Sequence, residues 1–380
     1  MRGKADSQLP MFHVFDVEDR IRPDHPLRDI KRRSDGILKS MSSKFSAAYS
    51  RTGRPSVPPE RLLKALLLMV LYSIRSERQL CEAIDVNLLY RWFLDMHPSE
   101  EAFDATTFTK NRQRLDDHGL AKAFFDAVVA EAVTSNLCSE HFSVDGTLIE
   151  SFASVKSFRP IDASQDDDQG PNGFKPRNAE VDFHGQKRSN ATHKSRTDPE
   201  AKLYRKGKGK EAKLSHMAHV LGENRHGLIV SIMATEANGT AERDAALKLL
   251  ADVEQTHQQK PKTLGADKGF DDGNFMRILE IVGIEPHIPL VKPPADPKKL
   301  GDSGRKPAMQ ARHRMKRRMK TEAYKLSQKC RKKVEEGFGW LKTVARLDRC
   351  RTVGRWKLNQ LLQIGAAAYN LVRLRKLSPA

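Results

Sequence analysis

The apolar pattern of this 380-residue chain changes period once, and that change limits the folds open to it. From Glu60 to Tyr72, Leu62, Leu63, Leu66, Leu67, Val70 and Leu71 recur at three- and four-residue intervals, the spacing of one helix face. Pro58-Pro59 sets up the start. A second helix is expected from Ser76, with Glu77, to Ile84, and a third from Asp104 or Thr106, both good N-cap types, to Leu115. A fourth covers Leu120 to Val133. Beyond it the spacing shortens. His141 to Ile149 sets Phe142, Val144, Leu148 and Ile149 around Asp145, which reads as a strand. Lys213 to Leu221 and Leu228 to Thr235 read as two more, joined as a hairpin through Gly222-Glu223-Asn224-Arg225-His226-Gly227. Thr240 to Val253 is helical, Thr263 to Ala266 is a short strand ending at Asp267, and Asn274 to Val282 is helical. The fold class expected is therefore α/β after an all-helical start. The polar, sparsely patterned residues 1–57 are expected as an arm and linker, 58–135 as a helical domain and 138–380 as an α/β domain. Residues 154–212 within it are expected to be loop-rich.

Charge is as unevenly spread as the apolar pattern. Lys and Arg total 67 against 48 Asp and Glu, a net +19, yet residues 1–290 are balanced. Residues 291–380 hold 25 basic and 6 acidic side chains, with the densest run at Arg312, Arg314, Lys316, Arg317, Arg318 and Lys320. A polyanion is the natural partner. Nucleic acid fits better than a membrane, because the run has no apolar face, and Lys/Arg neutralisation of phosphates gives strong, sequence-independent affinity. The third helix adds Thr107, Thr109, Lys110, Asn111, Arg112 and Arg114, side chains able to bond phosphates and base edges. A helix-turn-helix-like DNA-binding module and an ordinary bundle with a polar outer face both fit this pattern. No apolar run is long enough for a membrane span, and no signal peptide is read at the N-terminus. Cys81, Cys138, Cys330 and Cys350 are scattered without metal-ligand spacing, so neither a disulfide framework nor a zinc site is expected. A cytoplasmic location is expected.

Three acidic residues stand where chain order brings them to one end of a sheet. Asp145 interrupts an apolar strand, where a charge is costly unless paired or bound to a cation. Asp267 closes another strand beside Lys268-Gly269-Phe270. Taken alone, an aspartate in either setting is more often a helix cap or turn former than a ligand. Arg331, Glu335 and Lys342 share one helical stripe at spacings of four and seven, next to the apolar stripe of Val334, Phe338 and Leu341. Glu335 would then point into a cleft, or simply pair with Arg331. Glu336, about 100° round the helix, lacks that company.

With these residues in place the sequence resembles the DDE transposases of bacterial insertion sequences, in the insertion-sequence family five branch of the group related to insertion-sequence family four. The resemblance covers nearly the whole chain. In the helical half it lies in Gly53-Arg54-Pro55-Ser56, Tyr72-Ser73-Ile74-Arg75-Ser76-Glu77-Arg78-Gln79-Leu80, Tyr90-Arg91-Trp92-Phe93 and Thr107-Phe108-Thr109-Lys110-Asn111-Arg112. In the second half it lies in Val144-Asp145-Gly146-Thr147, Thr197-Asp198-Pro199-Glu200-Ala201, Ala266-Asp267-Lys268-Gly269-Phe270 and Val334-Glu335-Glu336-Gly337-Phe338-Gly339-Trp340-Leu341-Lys342. The family signature Tyr-x2-Arg-x3-Glu-x6-Lys is matched by Arg331, Glu335 and Lys342, with Gln328 where the family has tyrosine.

The resemblance implies a ribonuclease-H-like catalytic domain with a mixed five-stranded sheet, preceded by an all-α DNA-binding domain. It implies Asp145, Asp267 and Glu335 as catalytic residues and metal ligands, and the basic stretch 291–324 as an insertion near DNA. Hard Mg²⁺ prefers oxygen ligands, with Mn²⁺ a substitute, and two ions ~3.5–4 Å apart suit phosphoryl transfer. The activity implied is cleavage at transposon ends followed by strand transfer. Arg331 and Lys342 would hold phosphates, joined by Lys110, Arg112, Arg114, Arg314, Arg317 and Arg318. His193, Lys194, Arg196 and Asp198 would form a loop or contact DNA. The partners implied are double-stranded transposon-end and target DNA and a second copy in a homodimer, and the setting is the bacterial nucleoid. A non-catalytic sequence-specific DNA-binding protein, and a metal-dependent nuclease without strand transfer, remain alternatives. The first differs by having no reason to gather three carboxylates beside DNA.

Overall fold

The computed structural model describes residues 16–50, 52, 56–161, 189–205, 207, 211–295 and 306–378. Residues 1–15 of the expected arm, Gly53-Arg54-Pro55, much of the expected loop-rich segment (162–188, 206 and 208–210) and residues 296–305 of the expected basic insertion lie outside that set.

The region expected as arm and linker is largely helical, in α1 (Val17–Arg20), α2 (Pro26–Ser40) and α3 (Ser42–Ala48). Leu27, Ile30, Ile37 and Leu38 form a buried stripe on α2, and Pro26 sits in its first turn. Their spacing is helical, but the basic and acidic residues between them hide it in an averaged pattern. Lys64 on α4 (Pro59–Leu71) ties this layer down. It is 2% exposed and bonds Asp35 at 2.7 Å and Asp95 at 2.6 Å, while Lys31 reaches the same two carboxylates. Buried charge is tolerated here because each ammonium has two carboxylate partners. The chain continues through α5 (Glu77–Val86), α6 (Leu88–Phe93), α7 (Ala105–Asp117) and α8 (Leu120–Thr134). Ser76 caps α5 by accepting the Gln79 N–H, and Asp104 caps α7 by accepting that of Thr106.

The strands follow: β1 (His141–Glu150), β2 (Phe158–Pro160), β3 (His193–Ser195), β4 (Lys202–Tyr204), β5 (Lys213–Glu223) and β6 (Ile229–Glu236). Then come α9 (Ala241–His257), β7 (Thr263–Gly265), α10 (Gly273–Ile281) and β8 (Glu285–His287). Five strands cross the main sheet in the order β6-β5-β1-β7-β8. β6, β5 and β1 are antiparallel, whereas β7 and β8 run parallel with β1. This order and these directions make the second half a ribonuclease-H-like fold. A sixth strand, β4, shares the outer edge of β5 with β6, so the sheet has one strand more than expected. β2 and β3 form a separate pair beside it.

The last quarter of the chain is helical: α11 (Lys306–Arg318), α12 (Glu322–Cys330), α13 (Lys332–Thr343) and α14 (Arg355–Leu377). α14 is buried along most of its length and packs against α8, α4 and α2 on one side and β6 on the other. The helical half and the sheet therefore share one apolar core. β6 is an edge strand, and its free backbone groups find partners on α14. Asn370 accepts the Ile229 N–H at 2.9 Å and donates to the Ile229 carbonyl at 2.7 Å, and Asn359 accepts the Ala234 N–H at 3.0 Å. Covering an edge this way also blocks pairing with a foreign strand. Asn370→Ala would leave two buried backbone groups unpaired, and is expected to lower stability by about 2–4 kcal/mol in urea denaturation.

Candidate active site

The parallel ladder between β1 and β7 is short: His141 pairs with Thr263, Phe142 with Leu264 and Ser143 with Gly265. Carried two residues further, the same register sets Asp145 beside Asp267. β7 has ended by then, whereas β1 runs on to Glu150 against β5, so both carboxylates stand where the sheet opens. The carboxyl ends of parallel strands are the usual place for a ligand crevice in an open α/β sheet. Asp267 accepts the Gly269 N–H at 2.7 Å and starts a single 3₁₀ turn, Lys268–Phe270. Just before it, the Gln328 amide donates to the carbonyls of Ala266 (3.3 Å) and His287 (2.6 Å), tying the ends of β7 and β8 to α12. Where the resembling family has a tyrosine, this chain thus has an amide turned toward strand carbonyls.

α13 crosses the sheet beside these strands, against β1 and β5. Arg331, the helical residue joining α12 to α13, sets its guanidinium 3.6 Å from Asp145 Oδ2 and 3.2 Å from Glu335 Oε1. The i,i+4 pair anticipated from spacing is thus present, and it also reaches Asp145. Lys342 Nζ donates to Thr147 Oγ1 at 2.6 Å and to the Leu148 carbonyl at 3.1 Å, so it lies along β1 just past Asp145. Glu336 points elsewhere, to Arg373 on α14 at 3.4 Å.

Electrostatics ties the acids together. Burial pushes the Asp145 carboxyl up to about 6; the Gly146 N–H and Arg331 oppose that shift, and the nearby charges of Asp267 and Glu335 add to it. A fourth carboxylate, Glu242 in the first turn of α9, is also raised, by burial first and then by Asp267 and Asp145. Sequence reasoning missed it, since an acid in a first turn is what a helix dipole favours anyway. The one available signal was chain order, which starts α9 directly after the third strand of the sheet.

Four carboxylates with no thiolate make a hard-oxygen set of the kind Mg²⁺ and Mn²⁺ take, and gathering them in a half-buried place is costly without a compensating cation. The residues fit a divalent metal in donor chemistry. As the side chains stand, no three His, Cys, Asp or Glu among the described residues are arranged to hold one, and the Arg331 guanidinium stands between Asp145 and Glu335.

The other expected phosphate contacts divide. Lys110, Arg114 and Arg317 are exposed, with Arg114 lying over the Tyr49 ring at 4.8 Å. Arg112 is committed to an ion pair with Glu77. Arg314 and Arg318 both pair with Glu280 on α10, and Arg318 also reaches Glu285 at 3.3 Å, so these three hold helices together rather than standing free for DNA. Asp198, expected in a loop or on DNA, is fully buried, accepting from Ser151 Oγ at 2.6 Å and lying 2.9 Å from His216 Nε2. His193 and Lys194 sit in β3, where the His193 ring stacks on Phe158.

Two family models match the chain: a transposase domain over residues 15–114 and the transposase DDE domain over residues 138–371. None of the curated proteins matches it in sequence. Among solved structures it is similar to the Mos1 transposase paired-end complex with left transposon end, at 11% identity and a TM-score of 0.22 over 78% of this chain and 81% of that one. It is also similar to the Mos1 mariner paired end complex with Mn, at 14% identity and a TM-score of 0.21 over 83% of this chain and 86% of that one. The strand order, not these superpositions, carries the fold. Among the described residues no helix is long and apolar enough to cross a membrane.

The carboxyl of Asp145 moves from 3.8 to about 6 on folding, so ionising it opposes folding. That cost sets in as pH rises through this window and is complete above it. Asp145→Asn removes it. In chelator-treated protein the variant is expected to gain roughly 1–3 kcal/mol at pH 8 in urea denaturation, with the gain gone by about pH 4.

Proposed function

The chain belongs to the DDE transposase family, and from that premise we propose that it binds the terminal inverted repeats of an insertion sequence and catalyses strand cleavage and strand transfer there. The finer placement we propose is the insertion-sequence family five branch. The observation that carries the reading is the β1–β7 register, which brings Asp145 beside Asp267 at the open end of the sheet with Glu335 linked to Asp145 through Arg331. Three acids at that point have no use in a protein that only binds DNA, since they repel phosphate.

Asp145, Asp267 and Glu335 would hold two Mg²⁺ ions, for which Mn²⁺ could substitute. When bound, the metal supplies charge neutralisation at the phosphate and a more acidic attacking hydroxyl. Asp145, buried among acids, releases its proton near neutral pH and is then free to act as an oxygen donor. Arg331 would move from the carboxylates to a phosphate oxygen, where its planar fork binds bidentately, and Lys342 would add a point charge along β1. The Gln328 amide would keep the two strand ends, and with them Asp267, in place. Lys110, Arg114 and Arg317 are the exposed cations proposed for the duplex backbone, and the working form is a homodimer holding two DNA ends.

The test is metal-dependent cleavage and joining of labelled DNA carrying the element's ends, with binding recorded on the same samples. Alanine at Asp145, Asp267 or Glu335 is expected to cost on the order of 10³-fold in both reactions while binding persists. Arg331→Ala and Lys342→Ala are expected to lose about 10–100-fold. A wild-type chain that binds the ends but neither cuts nor joins them would leave a DNA-binding protein. Cutting without joining would leave a nuclease.

A further inference from the structure

Glu242 occupies a place that its helix does not explain. A Cβ added at Gly146 would stand 2.9 Å from Glu242 Oε1, and one added at Gly269 would stand 3.3 Å from Glu242 Oε2 and 2.9 Å from Asp267 Oδ1. One oxygen thus lies over the residue after Asp145, and the other faces the turn that Asp267 caps. The glycines at 146 and 269 are what leave room for this carboxylate between the two aspartates. Alternate residues of a strand face opposite sides, so with Asp145 turned to Arg331 and α13, Gly146 and Glu242 lie on the other face. Glu242 makes no hydrogen bond or ion pair with any other described residue.

His219 supplies an independent second observation. It is fully buried in β5 opposite Gly146, and its Nδ1 has no partner and would stand 3.2 Å from the same added Cβ. Its other nitrogen, Nε2, lies 2.7 Å from Thr235 Oγ1, whose own hydroxyl donates to the Glu236 carbonyl at 3.1 Å. Nε2 is therefore the protonated nitrogen, and Nδ1 keeps a bare lone pair. A carboxylate oxygen and a nitrogen lone pair converge beside Asp145 with no donor among the described residues between them. Two acceptors facing one point are stabilised by a cation or its bound water or by a proton on the carboxyl, and gathering the charge of Asp145 and Asp267 beside them favours the cation.

We propose that Glu242 is a fourth acidic residue of the metal site, helping Asp145 and Asp267 bind a divalent cation from the face of the sheet opposite Glu335. This rests on the transposase reading above. Glu242 is then a ligand or holds a metal-bound water, and the site is built from both faces of the sheet.

The experiment reads Mn²⁺ binding to the full-length protein without DNA by electron paramagnetic resonance, beside melting in chelator. Glu242→Gln is expected to weaken Mn²⁺ affinity at least tenfold and to leave the chelated protein as stable as wild type or more so, since a like charge has gone. Glu242→Asp, which keeps the charge and its place in the first turn but shortens the reach, is expected to lose affinity too and guards against a folding defect in the first variant. Asp244→Asn, an exposed acid in the same turn, is expected to bind Mn²⁺ as wild type does. An affinity in both Glu242 variants within twofold of wild type, while Asp145→Ala and Asp267→Ala lose tenfold, would overturn the proposal and leave the transposase reading standing. Unchanged affinity in the aspartate variants as well would overturn both. A lowered melting temperature in chelator with unchanged Mn²⁺ affinity would assign Glu242 to the helix dipole alone.

Discussion

The parallel pairing of β1 with β7 lasts three residue pairs, and the site depends on where it stops. Had β7 continued, Asp267 would be a ladder residue with its side chain committed to one face and Asp145 would lie in a closed sheet. Because β7 turns away at Asp267, two carboxylates face the same opening, and β5 on the far side of β1 keeps Asp145 from following. The remaining acids come from helices on the two faces, Glu335 from α13 and Glu242 from α9. Each is brought in by packing against the same few strands. Strand ends fix positions to within the rigidity of a ladder, and helices bring side chains whose reach can adjust, a division that suits the ion binding proposed for them.

α14 explains why the helical half cannot be treated as a loose appendage. Its 23 residues lie against the edge of β6 through Asn359 and Asn370 and against α2, α4 and α8 through apolar side chains. Whatever the N-terminal helices bind is therefore coupled through one buried element to the sheet that holds Asp145. The arm expected from sequence is part of this body instead of a tether, since α2 contributes Leu27, Ile30, Ile37 and Leu38 to the shared core.

Much of this was legible from residues. The helices α4, α5, α7 and α8 and the strands β1, β5 and β6 have patterns long or regular enough to read, and the short β7 is read from the apolar run that ends at Asp267, as β1 is from the charge of Asp145 within it. What escaped has physical causes. A three-residue strand such as β2, β3, β4 or β8 is too short to display alternation, and its pairing is decided by neighbours far away in sequence. α2 was hidden by the charged residues that solvate its outer face. Arg112, Arg314 and Arg318 look like any other exposed cation until Glu77 and Glu280 are seen beside them. Asp198 looks like a turn former until His216 and Ser151 close over it. Glu242 was invisible for the opposite reason, its local context being fully satisfied by an ordinary role.

The segregation of charge follows from the same site. A crevice lined by Asp145, Asp267, Glu335 and Glu242 has Arg331 and Lys342 as its counterweights on one face and Arg243 beside Glu242 on the other. Such a crevice repels a phosphate backbone, and on the proposed function divalent ions would neutralise only its centre. The rest of the attraction would then come from basic groups just outside, close enough to act within a Debye length of about 10 Å yet not so close as to pair permanently with the acids. α11, α12 and α13 carry part of the excess of residues 291–380, are anchored by Arg312, Arg314 and Arg318 on Asp271 and Glu280, and with the turn after α11 leave Lys316, Arg317 and Lys320 exposed. On the proposed function, a balanced first 290 residues and a strongly basic remainder are what an acidic crevice facing DNA would demand, and the sign of each part depends on the other.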